Sequence, residues 1–219
     1  MGPLTVPTVP SSPADKGEPA QGFAPAHRER STASDVNLAW TLDLGCGRAV
    51  SAVGVGQRAC GLDIDFQALH DVDWHERPSL VCGRGEQLPF RDCCFGSIVS
   101  RVAVPYMRVD ETFREMERVL LPGGTVQLSL HPLGMTVREL RRAVRARNLK
   151  NTLYRCFIIV NGTCFHLTGR QVSLPFRQQR CEFFQTRTGI ARALRARGFC
   201  DVKWQRGPRE FIVNARKAC

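Results

Sequence analysis

Residues 38–65, LAWTLDLGCGRAVSAVGVGQRACGLDID, constrain this chain more than any other stretch. Residues 38–44 form an apolar run long enough for one buried strand. The run halts at Gly45-Cys46-Gly47, gives way to small residues rich in Ala and Val, and resumes at 59–62 before closing on Asp63. Strand, glycine turn, short helix, strand, carboxylate is the order of the first half of a nucleotide-binding βαβ unit. Lacking a Cβ, Gly45 and Gly47 allow unusual dihedrals and a close ligand approach. The following helix would turn its unpaired N–H groups and positive dipole end toward that ligand, where a carboxylate or phosphate is favoured. Asp63 stands at roughly the 20-residue separation from which a carboxylate accepts hydrogen bonds from a ribose diol.

A second carboxylate, Asp43, precedes the glycines. It would repel a pyrophosphate but can hold an ammonium group, which disfavours NAD and favours a cofactor with an amino-acid tail. The turn alone is shared by many parallel αβ domains, and Ala49 stands where a third glycine is often found. The combination of 42–47 (LDLGCG) and 61–64 (GLDI) resembles the class I S-adenosylmethionine-dependent methyltransferases, of the type 11-like kind. Later stretches extend the likeness: Leu88-Pro89-Phe90 before an apolar run at 95–100, and 115–124 (EMERVLLPGG) at a helix-to-strand junction.

The resemblance implies a Rossmann-like, seven-stranded, mostly parallel sheet flanked by helices, with the last strand antiparallel. It implies S-adenosylmethionine as cofactor, held by Asp43, Gly45, Cys46, Gly47, Asp63 and Ile64, then by Gly85, Glu86, Ser100 and Arg101 at the later strand ends. Relatives hold the adenine amino group with an Asp where this chain has Arg84, so the backbone of Gly85 and Glu86 is expected to serve, with Leu88 near the base.

Composition sets the outer bounds. A chain of 219 residues, 43% hydrophobic, fits one domain over 36–219 with a Pro-rich disordered tail over 1–35. No apolar run approaches the ~20 residues of a membrane helix, and the first residues show neither a signal-peptide pattern nor, with Val6, a myristoylation signal. A cytoplasmic protein is expected. The ten cysteines include no Cys-x-x-Cys pair. Cys46, Cys60, Cys82, Cys156 and Cys200 sit in apolar runs and read as reduced, buried thiols rather than metal ligands. The net charge of +11, carried mainly by arginine, would steer anionic substrates or nucleic acid toward the surface.

Further along, strands are expected at 79–82 and 95–100, and a helix at 110–121 stopped by Pro122-Gly123-Gly124 before a strand at 125–130. Thr136 and Glu139 have the spacing of a capping box opening a basic helix, with Val137, Leu140 and Val144 inward. Asn161-Gly162 suggests a hairpin, but Leu153, Phe157, Val160, Cys164 and Leu167 keep helical spacing and Gly169 would end a helix, which is the preferred reading. A helix at 188–197 stopped by Gly198 and strands at 199–205 and 210–216 complete the chain. The resemblance implies that 131–187 is the variable, substrate-side insertion.

The expected activity is direct in-line methyl transfer to a small-molecule acceptor, an anionic one being favoured by the charge. Positioning is the main requirement, and a base is needed only if the nucleophile must lose a proton. His131 and Tyr106, beyond strand ends, are the candidate catalytic residues, with His166 a third. The competing readings are an RNA methyltransferase, motivated by the arginines, and a non-catalytic cofactor-binding interaction protein, motivated by Arg84 and Ala49. Val104-Pro105-Tyr106 departs from the Asn/Asp-Pro-Pro-aromatic motif of amino methyltransferases.

Overall fold

A computed structural model describes residues 39–48, 58–70, 79–172, 182–207 and 210–219. The Pro-rich tail and the helix expected directly after Gly47 lie outside those residues. Parallel strands β1 (Trp40–Leu44), β2 (Ala59–Asp63), β3 (Ser79–Cys82), β4 (Phe95–Arg101) and β5 (Leu120–Leu130) are joined by β6 (Phe199–Arg206) and β7 (Phe211–Lys217). The seven strands lie in the order β3-β2-β1-β4-β5-β7-β6, with β7 antiparallel to both β5 and β6. This is the expected sheet. The order reverses between β1 and β4, and a crevice outside strand carboxyl ends at such a reversal is where open αβ sheets take ligands.

The central strands are near-continuously buried, as expected for parallel strands. Leu42, Leu44, Leu62, Ile98 and Leu128 form the core with Phe113, Met116 and Val119. Those last three share one face of the helix α2 (Val109–Val119), which follows the short α1 (Phe66–His70) in chain order. The opposite side of α2 carries a clamp. The Arg118 guanidinium donates to both carboxylate oxygens of Glu115 (2.9 and 2.8 Å), to Asp92 (2.7 Å), and to the carbonyls of Phe90 (2.8 Å) and Leu88 (3.0 Å). Glu115 also accepts from the Leu88 N–H at 2.7 Å. Two side chains thus tie the segment between β3 and β4 to the helix.

Four expectations shift. Helix α2 ends at Val119, because Leu120 is already extended and pairs with Phe95. The strand therefore starts ahead of Pro122-Gly123-Gly124, and Gly123 takes the left-handed turn at φ +76°. Helix α3 (Leu133–Arg145) begins earlier than the Thr136 capping box would have it. Pro132, with φ −73°, starts it without any side-chain cap; Thr136 is buried inside, and Glu139 pairs with Arg142 at 3.0 Å. Its inward residues are Thr136 and Ala143, while Val144 is exposed.

Residues 149–168 are helical, as preferred: α4 (Leu149–Thr168) closes on Gly169 at φ +74°. Yet Leu153, Val160 and Leu167 point to solvent, and the buried face is Ile158, Asn161, Gly162 and Phe165. Close packing explains the rotation. A Cβ on Gly162 would lie 2.3 Å from Phe184 Cδ1, so only glycine admits that ring. Asn161 accepts from the Val172 N–H at 2.7 Å and donates to the Glu182 carbonyl at 3.3 Å. Finally, Cys46 and Cys60 are buried, but Cys82, Cys156 and Cys200 are exposed at strand and helix surfaces. The last helix, α5 (Arg187–Ala196), is capped by Thr186, whose hydroxyl accepts from the Gly189 N–H at 3.0 Å.

The clamp has a pH signature. The Arg118 hydrogen bonds hold the Glu115 carboxyl below its ordinary value of 4.5. A depressed folded-state value stabilises the fold above the unfolded value, and that contribution is lost as pH falls through the folded one. Urea titrations below about pH 4.5 should therefore show a shallower acid-side loss of stability in Glu115→Gln than in the parent chain.

Candidate functional site

The glycine turn after β1, the end of β2, the loop after β3 and the loop after β4 meet at one edge of the sheet. Gly45 is left-handed (φ +74°), and a Cβ there would stand 2.2 Å from Ala103 Cβ. The turn is thus pressed against the loop after β4. Gly47 is left-handed too (φ +57°), but among the described residues nothing lies within 4 Å of the place its Cβ would take. One glycine admits protein; the other faces open space.

Asp63 connects the two sides of this cleft. Its Oδ2 accepts from the Gly47 N–H at 2.7 Å and its Oδ1 from the Asp65 N–H at 2.9 Å. A carboxylate offers about four lone-pair positions, so a diol can still be received. Ile64, exposed, stands beside it. Asp43 is fully buried, with Arg101 Nη2 at 3.5 Å from its Oδ2. A cation thus already sits where the ammonium was expected.

Between these carboxylates, burial first, then Asp43 and Asp63, push the Cys46 thiol up to about 12. Ser100 is buried and donates to the Leu44 carbonyl at 2.8 Å, tying β4 to β1 rather than facing a ligand. The remaining members of the set are packed closely. Gly85 is buried, and a Cβ there would meet Met107 Sδ at 2.6 Å. Glu86 Oε1 accepts from the Arg108 N–H at 3.1 Å, and Arg84 Nε lies 3.7 Å from its Oε2. Leu88, expected near a base, is instead buried in the main core.

The candidate catalytic residues lie on different walls. Tyr106 ends the short 3-10 turn Val104–Tyr106 after β4 and is exposed. His131 follows β5 and lines a second cavity of about 1250 Å³, bounded by the first turns of α3 and α5 and the facing ends of β6 and β7. His166 is engaged elsewhere, its Nδ1 2.8 Å from the Thr186 hydroxyl that caps α5. The two openings are neighbours, because Arg101 beside Asp43 is in register with Ser129, two residues before His131.

Sequence reasoning missed three participants. Val102 adopts φ +57°, an unusual state for a β-branched residue, while its N–H donates to the Ser129 carbonyl at 2.9 Å. Met107 covers Gly85, and Gln185 lines the second cavity. None carries a local signature; each depends on contacts far along the chain.

Residues 42–128 match the family model of the methyltransferase domain. No curated protein sequence matches the chain. Among solved structures, an S-adenosylmethionine-dependent methyltransferase from Methanosarcina mazei is 17% identical, with 86% of this chain and 99% of that one covered at a TM-score of 0.52. The 1,6-didemethyltoxoflavin-N1-methyltransferase of Burkholderia thailandensis, with bound 1,6-didemethyltoxoflavin and S-adenosylhomocysteine, is 16% identical, with 83% and 72% covered at 0.51. The [4+2]-cyclase SpnF is also 16% identical, with 82% and 75% covered at 0.52. The fold is that of the class I S-adenosylmethionine-dependent methyltransferases. Among the described residues, no helix is long and apolar enough to cross a membrane.

The raised Cys46 thiol stays protonated at pH 8, so it should react with iodoacetamide far more slowly than exposed Cys82 or Cys200. Mass-mapped alkylation over time checks this order.

Proposed function

We propose that the chain is an S-adenosylmethionine-dependent methyltransferase acting on a small-molecule acceptor by direct in-line transfer. The observation that carries the reading is the pairing of an open, left-handed Gly47 with an Asp63 that holds its N–H and keeps lone pairs to receive a diol. The match of 42–128 to the methyltransferase domain and the S-adenosylhomocysteine bound by the Burkholderia relative support it. The cleft fits the cofactor. Asp63 would receive the ribose, Ile64 and the Gly85–Glu86 backbone would flank the base, and buried Asp43, with the Arg101 guanidinium 3.5 Å away, would hold that cation at the amino-acid end. In this reading Arg101 is positioned to meet the cofactor carboxylate. Gly45, Cys46 and Ser100 shape the turn.

When bound, the cofactor supplies a methyl group on a sulfonium. It would offer an electrophilic carbon to the acceptor's lone pair, the electrons of the broken carbon–sulfur bond staying on sulfur as a neutral thioether. This chain's part is alignment, worth ~7–11 kcal/mol of barrier in well-oriented systems. An acceptor that loses a proton on methylation would give it to His131, whose buried Nδ1 has no hydrogen-bond partner among the described residues. Tyr106 would close the acceptor side of the cleft. A concave cavity next to the cofactor cleft favours a small acceptor over RNA, which needs an extended basic track.

Calorimetry with S-adenosylhomocysteine tests the reading. Micromolar binding is expected, weakened by Asp63→Ala by tenfold or more, the usual effect of losing hydrogen bonds to a charged group, about 1.5–3 kcal/mol. Gly47→Ala, which places a methyl group in the open cradle, should weaken it as well. Equal affinity in both variants would remove the site assignment.

A further inference from the structure

The cavity beyond β5 has an electrostatic character that no element of the cofactor cleft requires. Four arginines line it, Arg138, Arg142, Arg187 and Arg206, against the carboxylates Glu139 and Glu210. Arg142 is paired with Glu139 at 3.0 Å. Among the described residues, Arg138, Arg187 and Arg206 form no ion pair. Like charges converging on one concavity repel one another, and an anion relieves that repulsion.

Backbone dipoles add to this field. Two helices of ten residues or more, α3 and α5, begin at the cavity wall, and α3 starts on Pro132 without a side-chain cap. Their first-turn N–H groups and positive ends favour negative charge. Neither helix has an acidic residue in its first turn to serve as an internal counter-charge.

A separate observation points to a ligand with hydrogen-bonding groups. Gln185, also in the wall, is only 2% exposed, and its Oε1 has no hydrogen-bond partner among the described residues. The same holds for His131 Nδ1. A buried polar atom left unmatched costs about 1–3 kcal/mol, so two in one wall mark a place where a donor from outside would be welcome. Arg187 is already oriented: its guanidinium stacks 3.4 Å from the centre of the Trp204 ring, which fixes the plane and leaves its N–H edge for a planar anion.

We infer that this cavity seats the methyl acceptor, and that the acceptor is a small molecule bearing a carboxylate or phosphate together with an N–H or O–H group. The anion lies against Arg138, Arg187 and Arg206 near the uncapped start of α3. The donor group is directed to Gln185 and His131, on the side toward the cofactor cleft. The inference rests on the methyltransferase reading for the word acceptor, but the anion seat stands on its own geometry.

Trp204 under Arg187 provides a built-in reporter. The full chain is titrated with inorganic phosphate, and separately with 4-hydroxybenzoate, at ionic strength held constant with sodium chloride, while tryptophan emission is followed. A saturable change with at least one probe is expected, absent in Trp204→Phe. Saturation by phosphate alone assigns a phosphate acceptor, and by hydroxybenzoate alone a carboxylate. Arg206→Gln and Arg138→Gln should each weaken it about tenfold, the scale of a lost charge-assisted hydrogen bond. Arg145→Gln, the same charge change outside the cavity wall, should leave it intact. The assignment is overturned if neither probe saturates, if Arg206→Gln and Arg138→Gln bind as tightly as the parent, or if only an RNA oligomer with steeply salt-dependent affinity gives the response. Calorimetry with S-adenosylhomocysteine on the same samples separates the two readings. Anion binding without S-adenosylhomocysteine binding removes the acceptor role and leaves the anion seat. S-adenosylhomocysteine binding without anion binding removes the seat and leaves the methyltransferase.

Discussion

The closest approach in the site is between the glycine turn after β1 and the loop after β4, where a Cβ on Gly45 would lie 2.2 Å from that of Ala103. Everything at the ligand edge depends on that contact. It draws the ends of β1 and β4 together, an arrangement fastened from within by the Ser100 hydroxyl on the Leu44 carbonyl. Val102, next to Ala103, is left-handed. A valine in that region is strained, at a cost of order 1–3 kcal/mol, and it is retained where its N–H still reaches Ser129 across the strand ends. With the loops so placed, Gly47 and not Gly45 is free of close neighbours among the described residues. Two glycines with one spacing in sequence therefore have opposite roles.

The second support acts from the far side of the cleft. The loop between β3 and β4 carries Gly85 and Glu86, yet it contains little regular structure of its own. Arg118 and Glu115 supply the missing hydrogen bonds, joining the Leu88 and Phe90 backbone to α2. Leu88 is then drawn into the core, and Met107 closes over Gly85. Loop position is thus set from the last two turns of α2. A stretch that as sequence is only a helix-to-strand junction proves to be the loop's anchor.

Much of the architecture was legible because it rests on local rules. An apolar run ended by glycine gave β1 and one closing on Asp63 gave β2, the helical period gave α2, and Gly169 and Gly198 marked helix ends through their left-handed backbones. The failures were tertiary. Thr136 and Glu139 have capping-box spacing, but Pro132 starts the helix first and the threonine is buried inside it. The buried face of α4 is decided by Phe184, distant in sequence, pressing on Gly162. Counting apolar residues at helical spacing therefore favoured Leu153, Val160 and Leu167 over Asn161 and Gly162. Likewise, the positions proposed for the cofactor rest on a short contiguous pattern. Gln185 and the arginines of the second cavity come from α3, α5 and β6, and no spacing rule relates them.

Among the described residues, the arginines behind the net charge of +11 include two distinct groups. Arg118 joins a carboxylate network, Arg197 meets Asp110, and Arg192 donates to the last carbonyls of α4 at 2.9 and 3.1 Å. These are architectural, and their positive charge is matched by nearby acceptors. Arg138, Arg187 and Arg206 instead converge on a concavity where two helices also point their positive ends. An overall basic composition cannot distinguish the two groups, whereas geometry does. The comparison with the [4+2]-cyclase SpnF gives that distinction weight, since the same fold supports a differently named chemistry. A cleft at the glycine turn therefore does not by itself define what a chain of this fold does. On the proposed reading, the neighbouring cavity, with its converging arginines and unmatched hydrogen-bonding atoms, would select the acceptor.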